Sequence, residues 1–100
     1  ETPSEVGESK DIPASFAVER PFPNPFNPST TVSFTLARDA HVTAAVYSVT
    51  GQKAAVLVDS PLSAGRHSVV WNAAGMPSGV WFVRFSDGSV TKTVRAVLVK

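Results

Sequence analysis

The chain has no cysteine, which rules out disulfides and thiolate metal sites and leaves the redox compartment unmarked. Histidine is nearly as scarce. His41 and His67 fall in different segments without a carboxylate at ligand spacing, so a metal centre or an imidazole base has little to be built from. Neither sign of charge predominates: nine basic and eight acidic residues give a net charge of +1, scattered along the sequence, which is no electrostatic footprint for nucleic acid or an anionic membrane. The longest wholly apolar run, residues 54–58, is far short of the roughly 18 residues that a membrane span requires, and a soluble domain is expected. Catalytic motifs are missing too. There is no Gly-x-Ser-x-Gly elbow and no glycine-rich phosphate loop, and Asp39, Asp59 and Asp87 fall singly at turns, where local hydrogen bonding accounts for them. No catalytic residue, cofactor or metal ligand is expected, and calcium binding is disfavoured.

What the sequence does contain is enough apolar material for one core: 43% of its 100 residues are apolar and 17% charged. Residues 1–13, beginning "ETPSEVGESKD", hold only Val6 and Ile12 as sizeable apolar groups, and they read as a flexible linker. With no start methionine or leader, the sequence reads as a module of a longer parent. From residue 14 to residue 100 a single domain is expected. Short runs rich in Val, Thr, Phe and Ala recur at intervals of about ten, broken by turn residues, and no stretch sustains a helical period. Seven strands are predicted, over 15–20, 30–36, 41–49, 53–59, 66–72, 79–86 and 89–100. In the second, Val32, Phe34 and Leu36 alternate with Thr31, Ser33 and Thr35, giving one apolar and one hydroxyl face. "TG" at Thr50 and Gly51 and "DG" at Asp87 and Gly88 supply tight hairpins, whereas "SPLSAG" and "NAAGMPSG" are longer loops. The expected fold is all-β, an immunoglobulin-like sandwich of about seven antiparallel strands.

One stretch fits no regular element. "PFPNPFNPST" packs four prolines, two asparagines and two phenylalanines into residues 21–30. Proline fixes φ and removes the amide donor, so the segment is a stiff, turning path. A spacer has no use for Phe22 and Phe26, each of which gains about 2 kcal/mol on burial. Both are expected to cover an end of the sandwich, with Asn24 and Asn27 closing turns through their side chains. Asn27 precedes Pro28, so no glycosylation acceptor is formed. Trp71 and Trp81 lie at strand spacing with apolar neighbours, which favours burial between sheets over a sugar platform with Tyr47.

Taken in order, "PNPFNPSTTVSFTL", "VTAAVYSVTGQKAAVLV", "LSAGRHSVVWN", "PSGVWFVRF" and "KTVRAVLVK" closely resemble the C-terminal sorting domain, type A, of proteins exported by the type IX (Por) secretion system. The resemblance runs from about Phe16 to Lys100. The architecture is also similar to the immunoglobulin-like domain of the flagellar hook-capping protein. By position, Pro23, Asn24 and Pro25 match the family's Pro-Asn-Pro opening, and residues 46–51, ending on Gly51, match its apolar-Tyr-Asp-x-x-Gly run, with Ser48 in place of the aspartate. Pro77, Ser78 and Gly79 match its Pro-Ser-Gly motif, and Arg95 and Lys100 stand at the spacing of its terminal basic pair.

The resemblance implies a non-catalytic sorting signal, covalently attached to an N-terminal passenger. Its partners would be the outer-membrane export and sortase machinery of type IX secretion. The parent would be secreted or held at the cell surface, reached through the periplasm and outer membrane of a Gram-negative bacterium. The closing strand, with Val97, Leu98, Val99 and Lys100, offers an edge for strand addition, and these residues join the Pro-Asn-Pro and Pro-Ser-Gly motifs, Gly51 and Arg95 as recognition candidates. Two other readings compete: a structural or carbohydrate-binding module of a multidomain extracellular enzyme, and an assembly domain of the flagellar-cap kind.

Overall fold

The computed structural model describes residues 16–100; the linker expected over 1–13 and the domain start at 14 lie outside the described residues. Seven strands follow one another: β1 (Ala17–Val18), β2 (Ser29–Leu36), β3 (Ala40–Tyr47), β4 (Lys53–Leu62), β5 (Gly65–Asn72), β6 (Gly79–Ser86) and β7 (Thr91–Leu98). They form a three-stranded sheet in the order β1-β2-β5 and a four-stranded sheet in the order β4-β3-β6-β7, every strand pairing being antiparallel. This is the expected immunoglobulin-like sandwich. In the constant-type immunoglobulin order the fourth strand lies beside the fifth, whereas here the short connection after β3 keeps β4 on its own hairpin partner. No helix among the described residues is long and apolar enough to cross a membrane.

The two-residue period decides what meets in the middle. β2 alternates strictly, burying Thr30, Val32, Phe34 and Leu36, while the hydroxyl residues between them face outward. Opposite it, β3 contributes Val42, Ala44 and Val46, β6 contributes Val83 and Phe85, and β7 contributes Ala96 and Leu98. Phe34 is central. Its ring meets Phe16 edge-on at 6.4 Å, Phe85 at a tilt at 5.1 Å and the stacked imidazole of His67 at 5.5 Å. Each of these large side chains contributes on the order of 2–3 kcal/mol by leaving water, which makes the inner faces of the two sheets the main source of stability.

Several boundaries differ from the sequence reading, each for a physical reason. β4 runs through Pro61 to Leu62, where a loop is expected from Ser60. As an edge strand it tolerates a residue without an N–H, because one side of its ladder has no partner. The apolar run 54–58 fails to alternate because the β3–β4 ladder has register shifts at Ala44/Ala45 and at Val46/Tyr47, which skip Leu57 and Ala54. The turn after β3 occupies residues 48–52 instead of two residues, with Gly51 at a φ of 89°. Ser48 takes the place of the family's aspartate there: its hydroxyl accepts the Gln52 amide at 3.3 Å and its own backbone closes the turn with Gln52 and Gly51.

β7 starts at Thr91 because residues 87–90 form a tight turn. One carboxylate oxygen of Asp87 accepts the Ser89 and Val90 amides, both at 2.8 Å. These backbone bonds, first that of Val90 and then that of Ser89, hold the Asp87 carboxyl below its ordinary pKa, with a lesser pull from Arg38. A carboxyl depressed in the folded state adds stability above its unfolded value near 3.9, and the gain disappears as pH falls through the lower folded value. Thermal melts below about pH 4 are therefore expected to fall more steeply for the native chain than for Asp87→Asn. Parallel curves would contradict this role.

Candidate recognition site

The proline-rich segment connects the two sheets. Phe22 bridges to β2, exchanging backbone hydrogen bonds with Thr31 at 2.9 and 3.0 Å. Four residues later Phe26 bridges to β7 in parallel, its N–H donating to the Val97 carbonyl at 2.9 Å and its carbonyl accepting from Val99 at 3.0 Å. Between these contacts the chain leaves one sheet edge for the other, and Pro23 and Pro25 occupy positions at which no ladder donor is required. The Phe22-Pro23, Asn24-Pro25 and Asn27-Pro28 bonds are cis.

Asn24 does not close a local turn. Its Nδ2 donates to the Arg95 carbonyl at 3.2 Å and its Oδ1 accepts the Val97 amide at 2.9 Å, so the side-chain amide takes the place of a peptide group on the outer edge of β7. No side-chain hydrogen bond of Asn27 is found among the described residues, where a turn closure is expected. The two phenylalanines also part company. Phe26 is 2% exposed and packs on Trp71 at 5.1 Å, whereas Phe22 is 80% exposed on the outer side of β2, so only one of them covers the end of the sandwich. Thr30, buried beneath the segment, donates its hydroxyl to the Pro23 carbonyl at 2.7 Å and fixes the path from below.

The other motifs arrive at the same pole. Trp81 Nε1 donates to the Pro77 carbonyl at 3.2 Å, the Ser78 hydroxyl accepts the Lys100 amide at 3.1 Å, and Gly79 enters β6 at a φ of 147°, which strains any residue with a Cβ. Lys100 Nζ reaches the Ala74 carbonyl at 3.1 Å. Register places Gly79 opposite Leu98 and Tyr47 opposite Phe82, which puts the Gly51 turn at this same end, two strands away from β7. A shallow depression of about 330 Å³ lies here, lined by Pro23, Pro25, Phe26, Asn27, Val99 and Lys100.

The recognition candidates therefore divide. Pro23, Asn24, Pro25, Pro77, Ser78, Gly79, Val99 and Lys100 are exposed around one end, with Gly51 farther along its rim. Arg95 and Val97 project from the outer face of β7, while Leu98 is 1% exposed and belongs to the core, so its part is to hold the fold. The edge of the closing strand, expected to be open for strand addition, is occupied over residues 95–99 by Asn24 and Phe26. Trp71 is buried and Trp81 half-buried beside it at 6.1 Å, which removes the sugar platform. Sequence reasoning missed the pairing of His41 with Asp59 at 2.6 Å, because these residues meet only across the β3–β4 ladder. No group of three or more potential metal ligands occurs among the described residues.

A protein-family model described as the secretion system C-terminal sorting domain matches residues 20–100. No curated protein and no solved structure matches the chain.

Proposed function

The chain belongs to the secretion system C-terminal sorting domain family and is a sorting signal for type IX secretion, and on that premise we propose that the pole built by the proline-rich segment is the surface the export apparatus reads. Such a signal serves a passenger and an export machinery, and the parent is a secreted or cell-surface bacterial protein. The observation that carries the proposal is convergence. Three motifs separated by up to 77 positions, Pro23 to Lys100, are joined by hydrogen bonds into one exposed patch.

Residues 95–99 are already bonded at their outer edge, so a receptor meets side chains and loops of the pole instead of adding a strand there. The domain acts by shape and performs no chemistry. Passage runs through the periplasm and outer membrane of a Gram-negative cell, with sortase processing and surface attachment of the passenger as later steps.

A fluorescent reporter preceding this chain, expressed with a signal peptide in a bacterium that has type IX secretion, tests the pole. The double variant Val99→Asp with Lys100→Glu changes two exposed side chains and leaves the core intact. Its exported reporter should fall by roughly tenfold, with the remainder in the periplasm, as expected when the centre of an interface acquires unpaired charge. Export at the native level would show that the machinery reads another surface.

A further inference from the structure

The outer face of the four-stranded sheet carries a row that the sorting motifs do not explain. Register sets Lys53, Tyr47, Phe82 and Arg95 side by side across β4, β3, β6 and β7. One row away, Arg84 lies opposite Ala45, and its guanidinium sits 4.6 Å from the centre of the Tyr47 ring. The small, nearly buried Ala45 forms the floor of a cleft of about 180 Å³, with Tyr47, Lys53 and Arg84 among its walls. Phe82 and Tyr47 are half-buried, and Val97 continues the apolar strip toward the pole.

Charge on this face is predominantly basic, with Lys53, Arg84 and Arg95 against the single carboxylate of Asp59. Among the described residues, Lys53, Arg84 and Arg95 are in no ion pair; Arg66 pairs with Glu19, and the His41 ring lies 2.6 Å from Asp59. Asp59, at the far side of the cleft, is engaged by His41. Stacking on Tyr47 holds the Arg84 fork in place and turns a mobile charge into a preorganised planar donor suited to carboxylates. An aromatic and apolar centre bordered by arginine is the composition of a protein interface core.

We infer that this face is a second docking surface, and that its occupant is a protein of the export apparatus presenting Asp and Glu side chains. The inference rests on the sorting reading but not on the pole: the face adjoins the pole through Arg95 and Val97, and charge complementarity selects the partner. Lys53 and Arg84 steer the encounter, while Tyr47 and Phe82 supply the contact that persists.

The same reporter tests this with the triple reversal Lys53→Glu, Arg84→Glu and Arg95→Glu, checked for folding by its thermal melt. Like charges brought face to face with an acidic partner should reduce export by roughly tenfold or more. The single variant Arg84→Gln, which leaves the core untouched, should give a smaller loss in the same direction. Ser33→Glu and Ser68→Glu, on the opposite sheet, should export normally. Native export of the folded reversal overturns the inference. So does salt-sensitive flotation of the purified native chain with vesicles of equal parts phosphatidylglycerol and phosphatidylcholine that the reversal abolishes, since this makes the partner an anionic membrane. Failure of the pole reading looks different, because Val99→Asp with Lys100→Glu is then exported while the face variants are retained.

Discussion

Phe26→Ala is expected to lower the unfolding free energy by about 3–5 kcal/mol, against less than about 0.5 kcal/mol for Phe22→Ala, although the two phenylalanines stand four residues apart in one motif. The difference comes from where each ring goes. Phe26 is inserted against Trp71 and completes the core beneath the segment, so its loss leaves a cavity that neighbouring backbone cannot close. Phe22 meets water on the outer side of β2. Urea denaturation of both variants measures the contrast, and similar midpoints for the two would refute the assignment of one ring to the core. In the reporter assay Phe26→Ala should also lose export, because it frees the segment that carries Pro23, Asn24 and Pro25. Phe22→Ala separates surface recognition from stability: any loss of export at native stability identifies Phe22 itself as a contact.

Leu98→Ala should cost about 2–5 kcal/mol, while Val99→Ala should stay within about 0.5 kcal/mol of the native chain. The side chains alternate along β7 and past its end, so Leu98 is enclosed and Val99 is half exposed. Circular dichroism melts report the stability difference, and reporter export reads the function. Leu98→Ala is expected to export only to the extent that it stays folded, recovering at lower growth temperature. A lasting export defect in a fully folded Leu98→Ala domain would contradict a purely structural role. The same geometry bears on truncation: removing the last six residues takes Ala96 and Leu98 out of the core, so such a deletion reports unfolding before it reports recognition.

Much of this architecture can be read from the chain. Strict alternation in residues 31–36 is sufficient to assign β2 and its buried face, and glycines at 51 and 88 mark turns because the positive φ found there costs them little. Pro61 misleads, since proline in a strand is permitted only where one side has no partner, and edge position is a property of sheet order and not of local composition. The proline-rich segment is legible as a rigid path but not as to its destination. Nothing near Asn24 indicates that its amide binds residues 71 and 73 positions later. The basic and aromatic row on the four-stranded sheet is invisible for the same reason, because Lys53, Tyr47, Phe82 and Arg95 become neighbours only through register. The family motifs converge on one pole because their residues take part in the local structure there. The Pro77 carbonyl accepts the indole N–H, Ser78 accepts the Lys100 amide and Gly79 takes the strained backbone.

The amide of Asn24 has a bearing on timing. Its two partners, and the two that Phe26 finds on Val97 and Val99, lie at the far end of the sequence from the segment they anchor. During synthesis residues 21–30 emerge long before residues 95–99, and until the later ones arrive the early ones have nowhere to dock. A chain cut short by premature termination, or one whose β7 has not yet entered the sheet, therefore lacks the assembled pole even when most of the sandwich is present. The pole is thus a check on the integrity of its own polypeptide: it is assembled only when the first and last parts of the domain have met.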